Sequence, residues 1–559
     1  MSARHLVVGL DGADLDLIRR FGPSELPVLH EHMAAGVYAP LQSVQPPATL
    51  PNWMTFLTGT DPGVHGVFDF TLRQGYRLEF AAGTIREVPT IGARLDALGR
   101  SVAMLGFPGT WPPERLQHGV FMSGWDSPVA FEADASFVWP ASFHRELQHR
   151  FGPLRFDDVN EFDADRPDWH RSLPGLLEAR IERKLRLFRW VLDRKPWDLF
   201  AAYFGESDTG GHYLWSLSDP ASPRHPRGTS AAEQQGLLRV YRALDEALGS
   251  LTEAAGPGVE LTVVSDHGFG GSSDKVVYLN RVLADAGLLT FRPKRWRDRI
   301  AVVAKELALT RLPPAVRQRA FAFGKKRLAG ELEAQVRFGG IDMSRTQAFS
   351  DELNYFPAVH LNLRGRDPEG VVTDAERASV IAEIRAALYA LEDPWSGGPV
   401  VRAVHRREDL FEGPFRDRAP DLVVELHLDG DYSYNLQPSA TAPHGIGAFR
   451  KLAPEEYLGR KGRSLPGSHR SHGIFIARGP KVAPRGEVEA AMADATATLL
   501  HRMEVEVPPQ FAGRVLWETL AGRSTSNGFA SLPPVVPAPR RRGRESLVEE
   551  RLRALGYVE

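Results

Sequence analysis

The chain has 559 residues, with 68 Lys and Arg against 70 Asp and Glu, a formal net charge of −2. Apolar residues make up 43% and charged residues 25%, a globular balance that excludes disorder as the main state, and near-neutrality gives no general attraction to nucleic acid. Cysteine is absent, which excludes disulfides, a thiol nucleophile, thiolate metal sites and iron–sulfur clusters, so any metal must be held by Asp, Glu, His or hydroxyl oxygen.

In chain order, Leu6–Leu10 is a short apolar run ending at Asp11-Gly12. It predicts a buried strand whose carboxyl end delivers Asp11 to a loop. The run is too short for a secretory signal and no stretch reaches the roughly 18 apolar residues of a membrane span, so the expectation is a soluble, cytoplasmic protein. Residues 88–99 predict a helix and 101–106 another buried strand. Ile181, Leu185, Phe188 and Leu192 recur at helical spacing within 172–194. A strand is predicted over Trp197–Phe204, then a helix with Leu237, Tyr241, Leu244, Leu248 and Leu251 on one stripe, then a strand in VELTVV. Strands alternating with helices imply an α/β fold with a mostly parallel sheet covered on both faces, whose ligands bind beyond the carboxyl ends of the strands.

Two stretches depart from this pattern. Residues 292–327 hold twelve Lys/Arg against Asp298 and Glu306; they read as a solvated helical insertion, or as a basic cap that attracts an anionic substrate or lipid surface. Residues 523–545, with SLPPVVPAP and RRRGR, read as a Pro/Arg-rich linker before a short C-terminal helix in 546–559. No internal repeat is present. The organisation expected is a catalytic domain over 1–522 with inserted segments at about 107–175, 290–345 and 400–465.

The polar residues at the strand ends carry the chemistry. Asp11 follows the first strand, Asp208 and His212 (GESDTGGH) follow the strand 197–204, Asp266 and His267 follow LTVV, and GSHRSHG offers His469 and His472 before another apolar run. Singly these are ordinary: an Asp after a strand is more often a turn or N-cap residue. Together they place carboxylates and imidazoles along one sheet edge, a donor set that suits zinc, manganese or similar divalent ions and is large enough for two of them. Thr49, just before Leu50-Pro51 and an apolar helical run, sits at a predicted helix N-terminus. There it is either a plain N-cap or a nucleophile activated by a metal, with Asn52 offering its amide to a phosphate oxygen.

The motifs VVGLDGAD (7–14), PPATLPNWMTFLTGTDPGVHGVFDF (46–70), SDTGGHYLW (207–215), VVSDHGFG (263–270) and GSHRSHGIFIARGP (467–480) resemble those of the alkaline phosphatase superfamily. Within it they are most similar to the type I phosphodiesterase/nucleotide pyrophosphatase-like group, including its predicted phosphohydrolases and phosphomutases. The resemblance runs through roughly residues 5–520. It implies one ion on Asp208, His212 and His469 and a second on Asp11, Asp266 and His267, with Thr49 bridging toward the second. His469 is preferred to His472 because of its Gly-x-His context. It also implies a small-molecule phosphate ester or nucleotide substrate and two divalent ions, zinc first and manganese second. The implied reaction is attack by Thr49 on phosphorus, giving a phospho-threonine that is then hydrolysed. A phosphomonoesterase or phosphomutase on the same core is the alternative, and from another class a metal-free scaffold or a peripheral membrane-binding protein. A sulfatase is disfavoured, since the nucleophile segment reads Thr-Leu-Pro-Asn and Cys is absent.

Overall fold

The computed structural model describes residues 3–80, 85–124, 135–152, 164, 168–292, 337–338, 340–352, 357–443, 445–459, 464–522 and 528–533. The basic stretch from 293 onward, most of the Pro/Arg-rich linker and the C-terminal helix lie outside the described residues.

The first strand, Ala3–Leu10, lies at the centre of the main sheet, flanked in parallel by Trp197–Phe204 and Glu260–Val264. Parallel pairing continues outward to Val102–Leu105 and Val120–Met122, and Val138–Trp139 closes that edge antiparallel. On the other side His472–Arg478 pairs antiparallel with Glu260–Val264 and with Val37–Gln42. The expected mostly parallel α/β sheet is thus observed. The strand predicted at 197–204 has those bounds. The helix predicted over 88–99 is shorter, Ile91–Asp96, because the Thr90 side chain accepts from Ala93 N and so caps it after Pro89.

Side chains of the first strand alternate between two cores. Leu6, Val8 and Leu10 face the helices Leu15–Phe21, Trp169–Leu192 and Gly236–Ala255. Val7 faces the opposite core, shared with the helices Thr49–Thr58 and Met492–Arg502. All five residues of the predicted stripe from Leu237 to Leu251 are buried. Among the described residues, no helix is long and apolar enough to cross a membrane.

A second lobe has its own core. Ala348–Ser350, Ala358–Leu361, Leu422–Leu426 and Val401–Arg406 form a four-stranded sheet in that order. It packs with the helices Leu279–Asp285 and Arg377–Tyr389. One long strand, Gly268–Val277, joins the lobes: its start pairs with Gly467–Arg470, and its end with Tyr432–Leu436 and Phe449–Lys451. Within 107–175, the strands Val120–Met122 and Val138–Trp139 extend the main sheet.

Candidate active site

The sheet brings the sequence-predicted donors together at the carboxyl ends of its three central strands. Asp11 follows the first strand, its N–H donating to Phe204 O at 2.9 Å. The next residue, Gly12, has φ +61°, and its N–H donates to Asp266 Oδ1 at 3.1 Å. A Cβ there would lie 3.1 Å from Asp208 Cα, so a side chain would be both strained and crowded. Ser265 Oγ accepts from Ala13 N at 2.8 Å and donates to His267 O at 2.7 Å. Ser207 Oγ donates to Asp11 O at 2.6 Å. These bonds lock the segments that follow the three strands to one another.

Asp208 and His212 follow the strand Trp197–Phe204, as expected. They lie in the helix Glu206–Ser218 that follows Gly205, at positions i and i+4, so one helical face presents both. His469 lies on the strand Gly467–Arg470, opposite Phe269. The neighbouring His472 begins the next strand and is exposed.

The distances define one continuous cluster. His267 Nε2 is 3.4 Å from Asp11 Oδ1, 3.3 Å from Asp266 Oδ2 and 4.0 Å from Asp208 Oδ1. Asp208 Oδ1 is 3.3 Å from the Nε2 atoms of both His212 and His469, which are 3.1 Å apart. Two groups have metal-holding geometry: Asp11, Asp266 and His267, and Asp208, His267 and His469. His267 therefore stands between the two expected sites, its ring stacked on that of His469 with centroids 3.6 Å apart. Each imidazole turns its Nδ1 to a backbone carbonyl: His212 to Gly467 at 3.1 Å, His267 to Gly268 at 3.1 Å and His469 to Pro47 at 2.9 Å. That assigns the proton to Nδ1 and leaves the Nε2 lone pairs facing inward, the arrangement of metal-binding histidines.

The residues present fit a pair of cations. Asp11 Oδ1, Asp208 Oδ1 and Asp266 Oδ2 are buried with no hydrogen-bond partner, a costly state for three carboxylates unless something positive lies between them. Among the described residues, the only basic groups within 4.0 Å of them are the imidazoles. Burial, then the Asp208 charge, pushes Asp11 well above the usual carboxylate range; burial, then the Asp11 charge, does the same to Asp266. Asp208 is opposed by burial, but His212 and His469 outweigh it and hold its carboxyl well below that range. Burial, then neighbouring His469, pushes His267 far below the usual imidazole value, so it is a neutral donor.

Thr49 is the first residue of the helix Thr49–Thr58, with Ala48 as N-cap and no side-chain cap bond. Its Oγ1 lies 3.4 Å from His267 Nε2, and the residue is half-buried whereas Asp266 and His267 are fully buried. Asn52 requires a correction. It is fully buried, its Nδ2 donates to Ala48 O at 2.9 Å and Pro46 O at 3.2 Å, and its Oδ1 accepts from Val44 N at 2.7 Å. Its amide braces the loop 44–48 and is not turned toward a phosphate. The sequence missed Trp53 and Tyr203, which both donate to Asp11 Oδ2. They read as core aromatics, and no local signal separates a core indole from one that serves a carboxylate.

A sequence model of the type I phosphodiesterase / nucleotide pyrophosphatase family matches residues 5–448. The chain belongs to that family. This is the group within the alkaline phosphatase superfamily that its motifs resembled, and the chain is accordingly a hydrolase of phosphoric ester or anhydride bonds. His469 lies beyond the matched stretch and reaches the cluster through strand pairing. No curated protein sequence matches the chain. Among solved structures, murine ectonucleotide pyrophosphatase/phosphodiesterase 5 is similar at 16% identity and TM-score 0.47, over 93% of this chain and 100% of that one. Phosphonoacetate hydrolase from Sinorhizobium meliloti 1021, in complex with phosphonoformate, is similar at 16% identity and TM-score 0.48, over 90% of this chain and 95% of that one.

Proposed function

We propose that this family member is a phosphodiesterase or nucleotide pyrophosphatase in which Thr49 is the nucleophile beside two divalent cations, zinc by preference and manganese as the substitute. One cation is assigned to Asp208, His212 and His469, the other to Asp11, Asp266 and His267, with Thr49 reaching toward the second. The observation that carries this reading is the convergence of three orphaned carboxylate oxygens and inward-facing imidazole nitrogens beside a half-buried hydroxyl at a helix N-terminus. Such cations supply Lewis acidity to the phosphoryl oxygens and lower the pKa of the hydroxyl.

The chain's own groups do the rest. Thr49 Oγ attacks phosphorus, the bond from phosphorus to the leaving oxygen breaks, and a phospho-threonine forms; water then cleaves that ester and restores the hydroxyl. The first-turn N–H groups of Thr49 and Leu50 have no partner inside the helix and favour an anion there. Pro47 holds His469 by its carbonyl at 2.9 Å, so the loop that precedes the nucleophile also orients a metal donor.

The test compares bis(p-nitrophenyl) phosphate with p-nitrophenyl phosphate on chelator-stripped protein reloaded with zinc or manganese, for wild type and Thr49→Ala. The diester is the expected better substrate, and Thr49→Ala is expected to lose at least about a hundredfold in kcat. Equal rates for wild type and variant would remove Thr49 from its role, and preference for the monoester would reassign the enzyme to phosphomonoesters.

A further inference from the structure

The fully buried indole of Trp53 donates through Nε1 to Asp11 Oδ2 at 2.9 Å, and the phenol of Tyr203 donates to the same oxygen. Both donors therefore occupy one oxygen of this carboxylate, while the other, Oδ1, has no hydrogen-bond partner and lies 3.4 Å from His267 Nε2. A buried indole or phenol needs some acceptor, but here two aromatic donors share the back of a carboxylate whose front is bare.

Trp53 also stands one turn after Thr49 on the same helix, so both residues look out from one helical face. The Thr49 hydroxyl meets His267 Nε2 at 3.4 Å, and the same nitrogen meets Asp11 Oδ1 at 3.4 Å. A closed circuit runs from Thr49 to His267 to Asp11 to Trp53 and back along one helical turn. The first strand is shaped for it. At Gly9 a Cβ would lie 2.8 Å from Trp53 Cη2 and 3.1 Å from Phe107 Cε1, so only glycine leaves the indole its seat. Phe107 and Tyr203 then pack edge-on against that indole, with centroids 5.3 and 5.4 Å from it.

We infer that Trp53 and Tyr203 are positioning residues that pin the rear oxygen of Asp11, so that its front oxygen binds a cation at a fixed distance from the Thr49 hydroxyl. The inference rests on the two-cation reading above. Without the two donors the Asp11 carboxylate is free to swing about its Cβ–Cγ bond, and the cation and the hydroxyl lose their common mount. Tyr203 fixes the carboxylate plane, whereas Trp53 additionally fixes the carboxylate relative to the nucleophile helix.

The experiment titrates metal-free wild type, Tyr203→Phe, Trp53→Phe and Leu57→Ala with zinc in competition with a chromophoric chelator, and measures kcat and KM on the zinc-loaded forms. Leu57 is fully buried on the same helix and faces the same core, so its variant reports plain loss of packing. Wild type should bind two equivalents. Tyr203→Phe and Trp53→Phe should weaken one of the two sites by about 10–100-fold, the usual effect of removing a partner behind a ligand, and leave the other unchanged. With zinc saturating, Trp53→Phe should lower kcat with little change in KM. Leu57→Ala should melt several degrees lower with both zinc affinities intact. Two equivalents bound by Tyr203→Phe as tightly as by wild type would overturn the inference alone, as would an equal affinity loss in Leu57→Ala. Fewer than two equivalents in wild type would overturn the two-cation reading and the inference with it. If Trp53→Phe does not fold, Tyr203→Phe, which deletes only a hydroxyl, decides the question.

Discussion

Replacing Asp266 by Asn should change the protein's stability in opposite directions with and without metal. Asp266 Oδ1 accepts the Gly12 N–H at 3.1 Å, while Oδ2 is buried, unpartnered and 3.3 Å from His267 Nε2. Because His267 is neutral and its Nδ1 faces Gly268 O, that nitrogen is an acceptor. Wherever Asp266 is ionised, two acceptors therefore face each other, and its raised pKa confines that conflict to pH above the raised value. In Asp266→Asn the amide oxygen keeps the Gly12 bond and the amide N–H donates to His267, while one of three crowded carboxylates disappears. In chelator the variant should be more stable than wild type by about 1–3 kcal/mol, the cost of one unsatisfied buried group. In zinc at about 100 times Kd, wild type gains about 2.7 kcal/mol. A hundredfold weaker site gains only about 0.4 kcal/mol there, a relative loss of about 2.3 kcal/mol, so the order reverses for any metal-free advantage smaller than that. Urea denaturation in chelator and then in zinc measures both differences. A variant less stable than wild type in both conditions would refute the reasoning and make Asp266 a structural carboxylate.

Other perturbations separate positioning from chemistry. Asn52→Ala removes bonds to Val44, Pro46 and Ala48 and should cost about 3 kcal/mol while weakening zinc binding, because Pro47 holds His469. A fall in kcat at unchanged melting temperature would instead restore Asn52 as a phosphate donor. Gly12→Ala forces a Cβ at φ +61° beside Asp208, and should cost about 1–3 kcal/mol with a matching loss of zinc affinity; unchanged metal binding would show that the loop tolerates the shift. In the second lobe, burial pushes Glu352 up to about 7, where its carboxylate accepts from Asn280 N at 2.9 Å and Ser439 Oγ at 2.7 Å. A raised carboxyl pKa binds its proton more tightly in the folded state, so the stability it contributes is full below about 4.5 and is lost as pH rises through about 7. The loss is on the order of 3 kcal/mol. Denaturation midpoints across that window should fall in wild type; Glu352→Gln, whose amide would face the Ser439 N–H, should be less stable throughout and lose this slope. An unchanged slope in the variant would place the titration elsewhere.

Much of the fold was legible because it depends on local pattern. The buried strands at Leu6–Leu10 and Trp197–Phe204 are apolar runs, and the Leu237–Leu251 stripe repeats at the helical period. The candidates Asp11, Asp208, His212, Asp266 and His267 could be named because strand ends of a parallel sheet are where such residues gather, whereas His469 was separated from His472 only by the family resemblance. The helix 88–99 was overextended because its start depends on a single side-chain cap at Thr90. Asn52 was misread because the Thr-x-x-Asn spacing carries no sign of which way an amide turns.

Sequence by itself determined the class of chemistry: with no thiol in the chain, oxygen and imidazole donors recur after apolar runs beside a threonine at a helix start. Tertiary structure alone decided that His267 stands between two groups of donors, that Pro47 orients His469 across 422 residues of chain, and that Trp53 and Tyr203 meet behind Asp11. Those arrangements arise from strands paired across hundreds of residues and from a missing side chain at Gly9. Hydrogen-bond direction and close packing are set by such long-range contacts, and residue spacing along a chain does not encode them.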